Sequence, residues 1–144
     1  MKDKIYLLDT NIISELMKVL PEEKILKWFD LNEENEFYIS SITQSEIFLG
    51  IELLSEGKKK NELKDAFENM LIDDFTNKCL VFDEQSAREY AKVVVGRNRI
   101  GRPISVEDAQ IASIAISKNL TLVTRNEKDF TGINHLSLVN PWNL

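Results

Sequence analysis

Ile5-Tyr6-Leu7-Leu8-Asp9-Thr10-Asn11, running straight into the helical pattern of Ile12 to Leu20, is the stretch that decides the fold. An apolar tetrapeptide with no polar interruption predicts a buried strand, and such strands belong to parallel sheets covered by helices. At Asp9 the chain has to pass from strand to helix. In α/β folds ligands collect beyond the carboxyl ends of the strands, so a carboxylate at that junction marks a candidate site.

Outward from this segment the pattern repeats. Pro21 stands where a second helix would begin, with Ile25, Trp28 and Phe29 as its apolar face up to Asn32. Phe37-Tyr38-Ile39 predicts a short strand. Ser41-Ile42-Thr43 leads into a helix carrying Ile47, Phe48, Ile51 and Leu54 that stops near Gly57. Lys58-Lys59-Lys60 opens another, with Leu63, Phe67, Met70 and Leu71 at helical spacing to about Ile72, so the two helices form a hairpin. Leu80-Val81-Phe82 predicts a third strand, and Asp83 is a natural N-cap for a helix with Ala87, Tyr90, Ala91 and Val94 inward. That helix is expected to fray between Gly96 and Gly101 into a basic loop. Ser105 starts a helix with Ile111, Ala112, Ala115 and Ile116 inward, followed by the strand Thr121 to Thr124 and a last strand from Leu136 to Val139, ending at Pro141. Short strands alternating with helices, without repeat or linker, predict one α/β domain over residues 1–144 with a parallel sheet covered on both faces.

Composition bounds the function. A hydrophobic fraction of 43% and a charged fraction of 29% are ordinary for a globular chain of 144 residues. The one cysteine, Cys79, excludes an intrachain disulfide, fits a reducing compartment and is expected to be buried. No apolar run approaches the roughly 20 residues that span a bilayer, and no leader precedes the first strand, so the expected location is the cytoplasm, without membrane contact. A net charge of −6 argues against indiscriminate nucleic-acid binding. The charge is uneven, however: residues 88–128 hold eight bases (Arg88, Lys92, Arg97, Arg99, Arg102, Lys118, Arg125, Lys128) against four acids, which allows a local basic rim.

Asp9 has three acidic companions at comparable junctions. Asp129 lies five residues beyond the strand end Thr124, while Glu46 and Asp108 are each expected in the first turn of a helix. Taken singly these three also read as capping residues, in Thr43-Gln44-Ser45-Glu46, Ser105-Val106-Glu107-Asp108 and Asn126-Glu127-Lys128-Asp129. Asp9 closes an apolar strand, where no cap is required, and a buried carboxylate needs a compensating partner such as a cation. Carboxylates without cysteine or histidine pairs are a hard-ligand set suited to magnesium or manganese rather than structural zinc. The lone His135, expected at the surface or sheet edge, rules out a two-histidine mechanism within one chain. Phosphate loops and nucleophile elbows are absent, which leaves metal-assisted chemistry on a phosphate.

The chain resembles the PIN domains, and within them the VapC toxins of toxin-antitoxin pairs with their FitB branch. The likeness is carried by Leu7-Leu8-Asp9-Thr10-Asn11-Ile12-Ile13-Ser14-Glu15, by Ile39-Ser40 through Glu46 to Gly50-Ile51-Glu52-Leu53-Leu54, by Gly101-Arg102-Pro103-Ile104-Ser105 through Asp108 and Ala109, by Thr124-Arg125-Asn126 with Asp129-Phe130, and by Val139-Asn140-Pro141-Trp142. It implies a three-layer α/β/α sandwich with a mostly parallel central sheet. It also implies a magnesium- or manganese-dependent endoribonuclease that a cognate antitoxin inhibits. Asp9 and Asp108 match the positions most often assigned as direct metal ligands, and Glu46 and Asp129 complete the pocket. Thr124 and Asn126 match a polar supporting shell, and Thr10 and Asn11 would orient Asp9. The resemblance further implies a homodimer, an antitoxin helix seated on the hairpin from Thr43 to Ile72, and operator DNA bound through the antitoxin. A tRNA anticodon stem-loop is the leading substrate, with Arg97, Arg99, Arg102 and Arg125 as candidates for phosphate contacts. Two other readings stay open on the residues alone: a receiver-type magnesium-binding signalling domain and a non-catalytic PIN-fold binding module.

Overall fold

The computed structural model describes residues 4–144, so the first three residues of the expected domain lie outside the described residues. Five strands, β1 (Ile5–Leu8), β2 (Glu36–Ser40), β3 (Cys79–Leu80), β4 (Thr121–Val123) and β5 (Ser137–Val139), form one sheet in the order β3-β2-β1-β4-β5. Every neighbouring pair is parallel. Six helices accompany them: α1 (Thr10–Leu16), α2 (Glu23–Leu31), α3 (Ser41–Glu52), α4 (Lys58–Phe75), α5 (Glu84–Arg99) and α6 (Val106–Lys118). Among the described residues no helix is long and apolar enough to cross a membrane.

The alternation of side chains along a strand builds the layers. On β1, Tyr6 and Leu8 enter a core shared with Ile12 of α1, Trp28 of α2, Ile47 of α3 and Phe67 of α4. Leu7 points the other way, into a core formed with Val93 of α5, Ile111 and Ile114 of α6, Leu122 and Phe130. The central strand is therefore buried on both faces, as its apolar run requires, and the molecule is a three-layer α/β/α sandwich. Aromatic contacts reinforce the first core: the Tyr6 and Trp28 rings meet edge to face at 5.2 Å, and Tyr6 stacks on Phe37 at 5.6 Å. Pairs of this kind add about 0.5–1.5 kcal/mol each beyond area burial.

Several expectations are corrected. Helix α1 stops at Leu16, not Leu20, because the Glu15 carboxylate accepts from Glu22 N at 2.9 Å and folds the chain back, leaving Val19 and Leu20 exposed. Strand β3 is Cys79–Leu80 rather than 80–82; it is an edge strand, Val81 has left it, and Cys79 is exposed instead of buried. Helix α5 runs unbroken through Gly96 to Arg99, so Arg97 and Arg99 are helical rather than part of a loop. Its inward face is Ser86, Val93 and Arg97, with Ala87 and Ala91 exposed and Tyr90 and Val94 half-buried. Polar contacts with α6 set that rotation: Ser86 meets Ser117 at 3.0 Å, and Lys118 donates to Asp83 at 2.7 Å. His135 is exposed beside β5, as expected.

The order of the strands fixes where a site can form. From β1 the chain moves outward through β2 to β3, then returns to the other side of β1 for β4 and β5. The reversal lies between β1 and β4, and the crevice beyond their carboxyl ends is the place where open α/β sheets bind ligands. Asp9 ends β1 there, and Thr124 ends β4.

Candidate functional site

Asp9 is 4% exposed, and both of its carboxylate oxygens accept hydrogen bonds. One carboxylate oxygen accepts from Thr10 N at 2.8 Å; the other accepts from the Thr124 hydroxyl at 2.7 Å and from Asn11 Nδ2 at 3.2 Å. Thr124 is fully buried, and its hydroxyl also accepts from Asn126 N at 3.1 Å. Asn11 Oδ1 accepts from Arg125 N at 3.2 Å, so the turn after β4 and the start of α1 hold each other. Asn126 supports the site through its backbone, while its exposed residue leaves the side chain free of any such bond. Burial pushes the Asp9 carboxyl above the usual range; the bonds from Thr124, Thr10 and Asn11 pull it down, and the charge of Glu46 pushes it up again.

The capping roles differ from those read in the sequence. Asp9 is the N-cap of α1, with an extended backbone and its side chain on Thr10 N. Glu46 caps nothing. Helix α3 begins one turn earlier than expected, capped by Ser40, whose hydroxyl accepts from Thr43 N at 3.0 Å, so Glu46 is its sixth residue and not in the first turn. Its carboxylate instead accepts from the Thr10 hydroxyl at 2.6 Å, and that hydroxyl also meets Thr43 Oγ1 at 3.0 Å. Asp108 is in the first turn of α6, its backbone N donating to the Ser105 cap at 3.2 Å. Its carboxyl is pushed up to about 6, chiefly by burial and then by the charge of Asp9, with smaller pushes from Asp129 and Glu46. Asp129 ends a short 3-10 turn, Glu127–Asp129, whose start at Asn126 has no side-chain cap.

Asp9, Glu46, Asp108 and Asp129 thus line one open cleft of about 420 Å³, together with Thr10, Asn11, Ser14, Glu15, Lys18, Arg125 and Asn126. Among the described residues, no three carboxylate, histidine or cysteine side chains already stand close enough to grip one ion. The donor set is nonetheless all oxygen and anionic, which fits a hard divalent cation.

Sequence reading missed Glu15 and Lys18. Asn11, Ser14, Glu15 and Lys18 follow the i, i+3, i+4, i+7 spacing of one helical face, and that polar stripe was the available signal. Glu15 is buried, with one oxygen accepting from Lys18 Nζ at 2.9 Å and the other from Glu22 N at 2.9 Å. Those two donors hold its carboxyl below the usual range, so it is a satisfied structural acid, unlike Asp108.

Of the four arginines expected at phosphates, only Arg125 lines the cleft. Arg97 is 4% exposed, and its guanidinium donates to the carbonyls of Arg102, Lys128 and Thr131. It cannot reach a solvent-borne phosphate; it ties the loop before α6 to the segment after Asp129. Arg102 is exposed and donates to the Thr131 hydroxyl at 3.1 Å. Arg99 belongs to a larger groove of about 830 Å³ between α5 and residues 132–135, which contains none of the four acids. Size favours that groove, but titratable chemistry gathers in the smaller cleft.

A parallel α/β/α sandwich with carboxylates from four separate segments above its switch point defines a carboxylate-cleft α/β protein. The family model for the PIN domain matches residues 6–136. The chain belongs to the PIN-domain family, in its VapC and FitB branch. It is 37% identical to the Toxin FitB of Neisseria gonorrhoeae over 136 residues, covering 94% of this chain and 97% of that one. It is 30% identical to the VapC ribonuclease Y4jK of Sinorhizobium fredii, covering 94% and 96%. A solved structure of FitAB bound to an IR36 DNA fragment superposes with a TM-score of 0.88 at 36% identity, covering 96% of each chain.

Proposed function

We propose that this chain is the toxin of a type II toxin-antitoxin pair, acting as a magnesium- or manganese-dependent endoribonuclease through a single domain in the cytoplasm. The observation that carries the reading is the convergence of Asp9, Glu46, Asp108 and Asp129 in one cleft, with Asp108 pushed up to about 6 chiefly by its burial and then by its neighbours' charge. Asp9 and Asp108 would hold the cation, with Glu46 and Asp129 completing its surroundings. A divalent cation so bound lowers the pKa of water and stabilises charge on phosphate oxygens. Thr124, Asn11 and Thr10 N fix the Asp9 carboxylate, so that it meets its ligand in one orientation. Thr10 does the same for Glu46 through its hydroxyl. Attack by water in this cleft leaves a 5′ phosphate and a 3′ hydroxyl, and a tRNA anticodon stem-loop is the substrate we favour.

The antitoxin is the partner that would silence the cleft. Leu49 on α3, Leu53 at its C-cap and Ile72 on α4 are exposed apolar side chains on the helical hairpin, which suits an amphipathic antitoxin helix. A homodimer, and DNA reached through the antitoxin, complete the assembly we propose. The test is incubation of purified protein with total RNA and manganese, then with chelator, beside Asp9→Asn. Cleavage should need the metal and fall at least a hundredfold in the variant. Metal-independent cleavage, or undiminished cleavage by Asp9→Asn, overturns the proposal.

A further inference from the structure

An acidic cleft in a chain of net charge −6 has to receive a polyanion, so cations at its edge matter more than cations elsewhere. Among the described residues lining the cleft, Lys18 and Arg125 are the cationic ones. Each is held by a dedicated partner. The Lys18 ammonium sits on the buried Glu15 carboxylate at 2.9 Å, and that carboxylate spends its other oxygen on Glu22 N. The Arg125 guanidinium lies over the Trp142 ring, 4.7 Å from its centroid. Glu15, Lys18 and Arg125 line the same cleft.

Trp142 is held through its backbone and packs against the core that contains Tyr6 and Trp28. Its backbone N donates to Asn140 Oδ1 at 2.9 Å, its carbonyl accepts from Lys24 Nζ at 2.8 Å, and Asn140 Nδ2 reaches back to the Arg125 carbonyl at 3.1 Å. Among the described residues, Trp142 Nε1 is the buried side-chain nitrogen without a hydrogen-bond partner. The ring is thus placed by its packing and offers a face to Arg125, with no bond made through its N–H. A guanidinium over an indole face keeps its hydrogen-bonding edge free for a phosphate, and the Lys18 ammonium, which gives one of its three donors to Glu15, keeps the others.

We propose that Lys18 and Arg125 form a phosphate subsite on the α1 wall of the cleft, receiving an RNA backbone phosphate next to the scissile one, with Trp142 as the positioning residue for Arg125. The inference rests on the ribonuclease reading above and goes further by naming the wall along which the strand lies. It also separates the cleft into two halves: four acids facing the bond that is cut, and two tethered cations facing its neighbour.

The experiment begins with wild type, total RNA and manganese, which tests the ribonuclease reading by itself. A short RNA spanning one mapped cut then serves as the probe for steady-state kinetics between 50 and 250 mM KCl. Arg125→Ala and Lys18→Ala should each raise KM about tenfold with kcat within twofold. Each should also flatten the slope of log KM against log salt by about 0.7, the value for one lost phosphate contact on a single strand. Trp142→Leu should reproduce Arg125→Ala, Trp142→Phe should retain most of the affinity, and the Arg125→Ala/Trp142→Leu double variant should be no worse than Arg125→Ala. Because Arg125 is exposed, its variant keeps the test valid even if Trp142→Leu melts early. An unchanged KM and salt slope in Arg125→Ala, while wild type cleaves, overturns the subsite alone. Multiplying effects in the double variant overturn the role of Trp142. No cleavage by wild type overturns the ribonuclease reading and the subsite with it.

Discussion

Replacing Asp108 by Asn should make the metal-free protein more stable. The carboxyl is pushed up to about 6 from an ordinary 3.8, by burial and by the charges of Asp9, Asp129 and Glu46. That gap of about two pH units corresponds to roughly 3 kcal/mol at about 1.4 kcal/mol per unit. Asp108 is only half-buried, so solvent screening reduces it to about 1.5 kcal/mol. Loss of an anion from the first turn of α6 costs about 0.5 kcal/mol in the opposite sense. The net gain is about 1 kcal/mol, or roughly 3–4 °C in Tm for a chain of this size. The sign with pH follows from the raised folded pKa. The native state holds the Asp108 proton more tightly than the unfolded chain, so wild-type stability from this group falls as pH rises from about 3.8 to about 6, and the penalty is complete above that. The advantage of Asp108→Asn should therefore be largest at pH 7.5 and close toward pH 4. Thermal melts in chelator at three pH values measure it. A variant that melts below wild type at pH 7.5, or an advantage that does not shrink on acidification, refutes the picture of Asp108 as a repelled carboxylate awaiting a cation.

Three further outcomes are expected. Arg97→Met should cost about 3 kcal/mol and several degrees of Tm, since the carbonyls of Arg102, Lys128 and Thr131 lose their donor, and chemical denaturation reads the difference. Thr124→Val should lower activity at least tenfold and stability by about 1–3 kcal/mol, by removing the hydroxyl between Asp9 and Asn126 N, and Thr124→Ser should restore most of both in cleavage and melting assays. Manganese at a hundred times its dissociation constant should add about 2.7 kcal/mol to wild-type stability, and calorimetry should show this rise vanish in Asp9→Asn.

The fold was legible because β1 is apolar without interruption, which demands cover on both faces, and because a period of helix and strand repeats after it. The four acids were legible as residues but not as geometry. Thr43-Gln44-Ser45-Glu46 satisfies the capping-box pattern, yet Ser40 begins α3 and frees Glu46 to take the Thr10 hydroxyl. Two candidate caps one turn apart cannot be ranked without knowing where β2 ends. The inward face of α5 was unreadable for a different reason: it contains Ser86 and Arg97, whose burial depends on Ser117 and on carbonyls 31 and 34 residues away in Lys128 and Thr131. Hydrophobic periodicity is blind to polar side chains whose partners are supplied by distant chain. Glu15 escaped because its partners, Lys18 and Glu22 N, become visible only when the end of α1 folds back.

The Arg125 turn is clasped by residues 139–142. Thr124 N donates to Val139 O at 3.0 Å, Asn140 holds the Arg125 carbonyl, and Trp142 carries the guanidinium. The turn that carries Arg125 is thus held from residues 139–142, so this wall of the cleft is fixed only once β5 and the turn after it have docked. A chain stopped after residue 136 should neither cleave RNA nor gain stability from manganese.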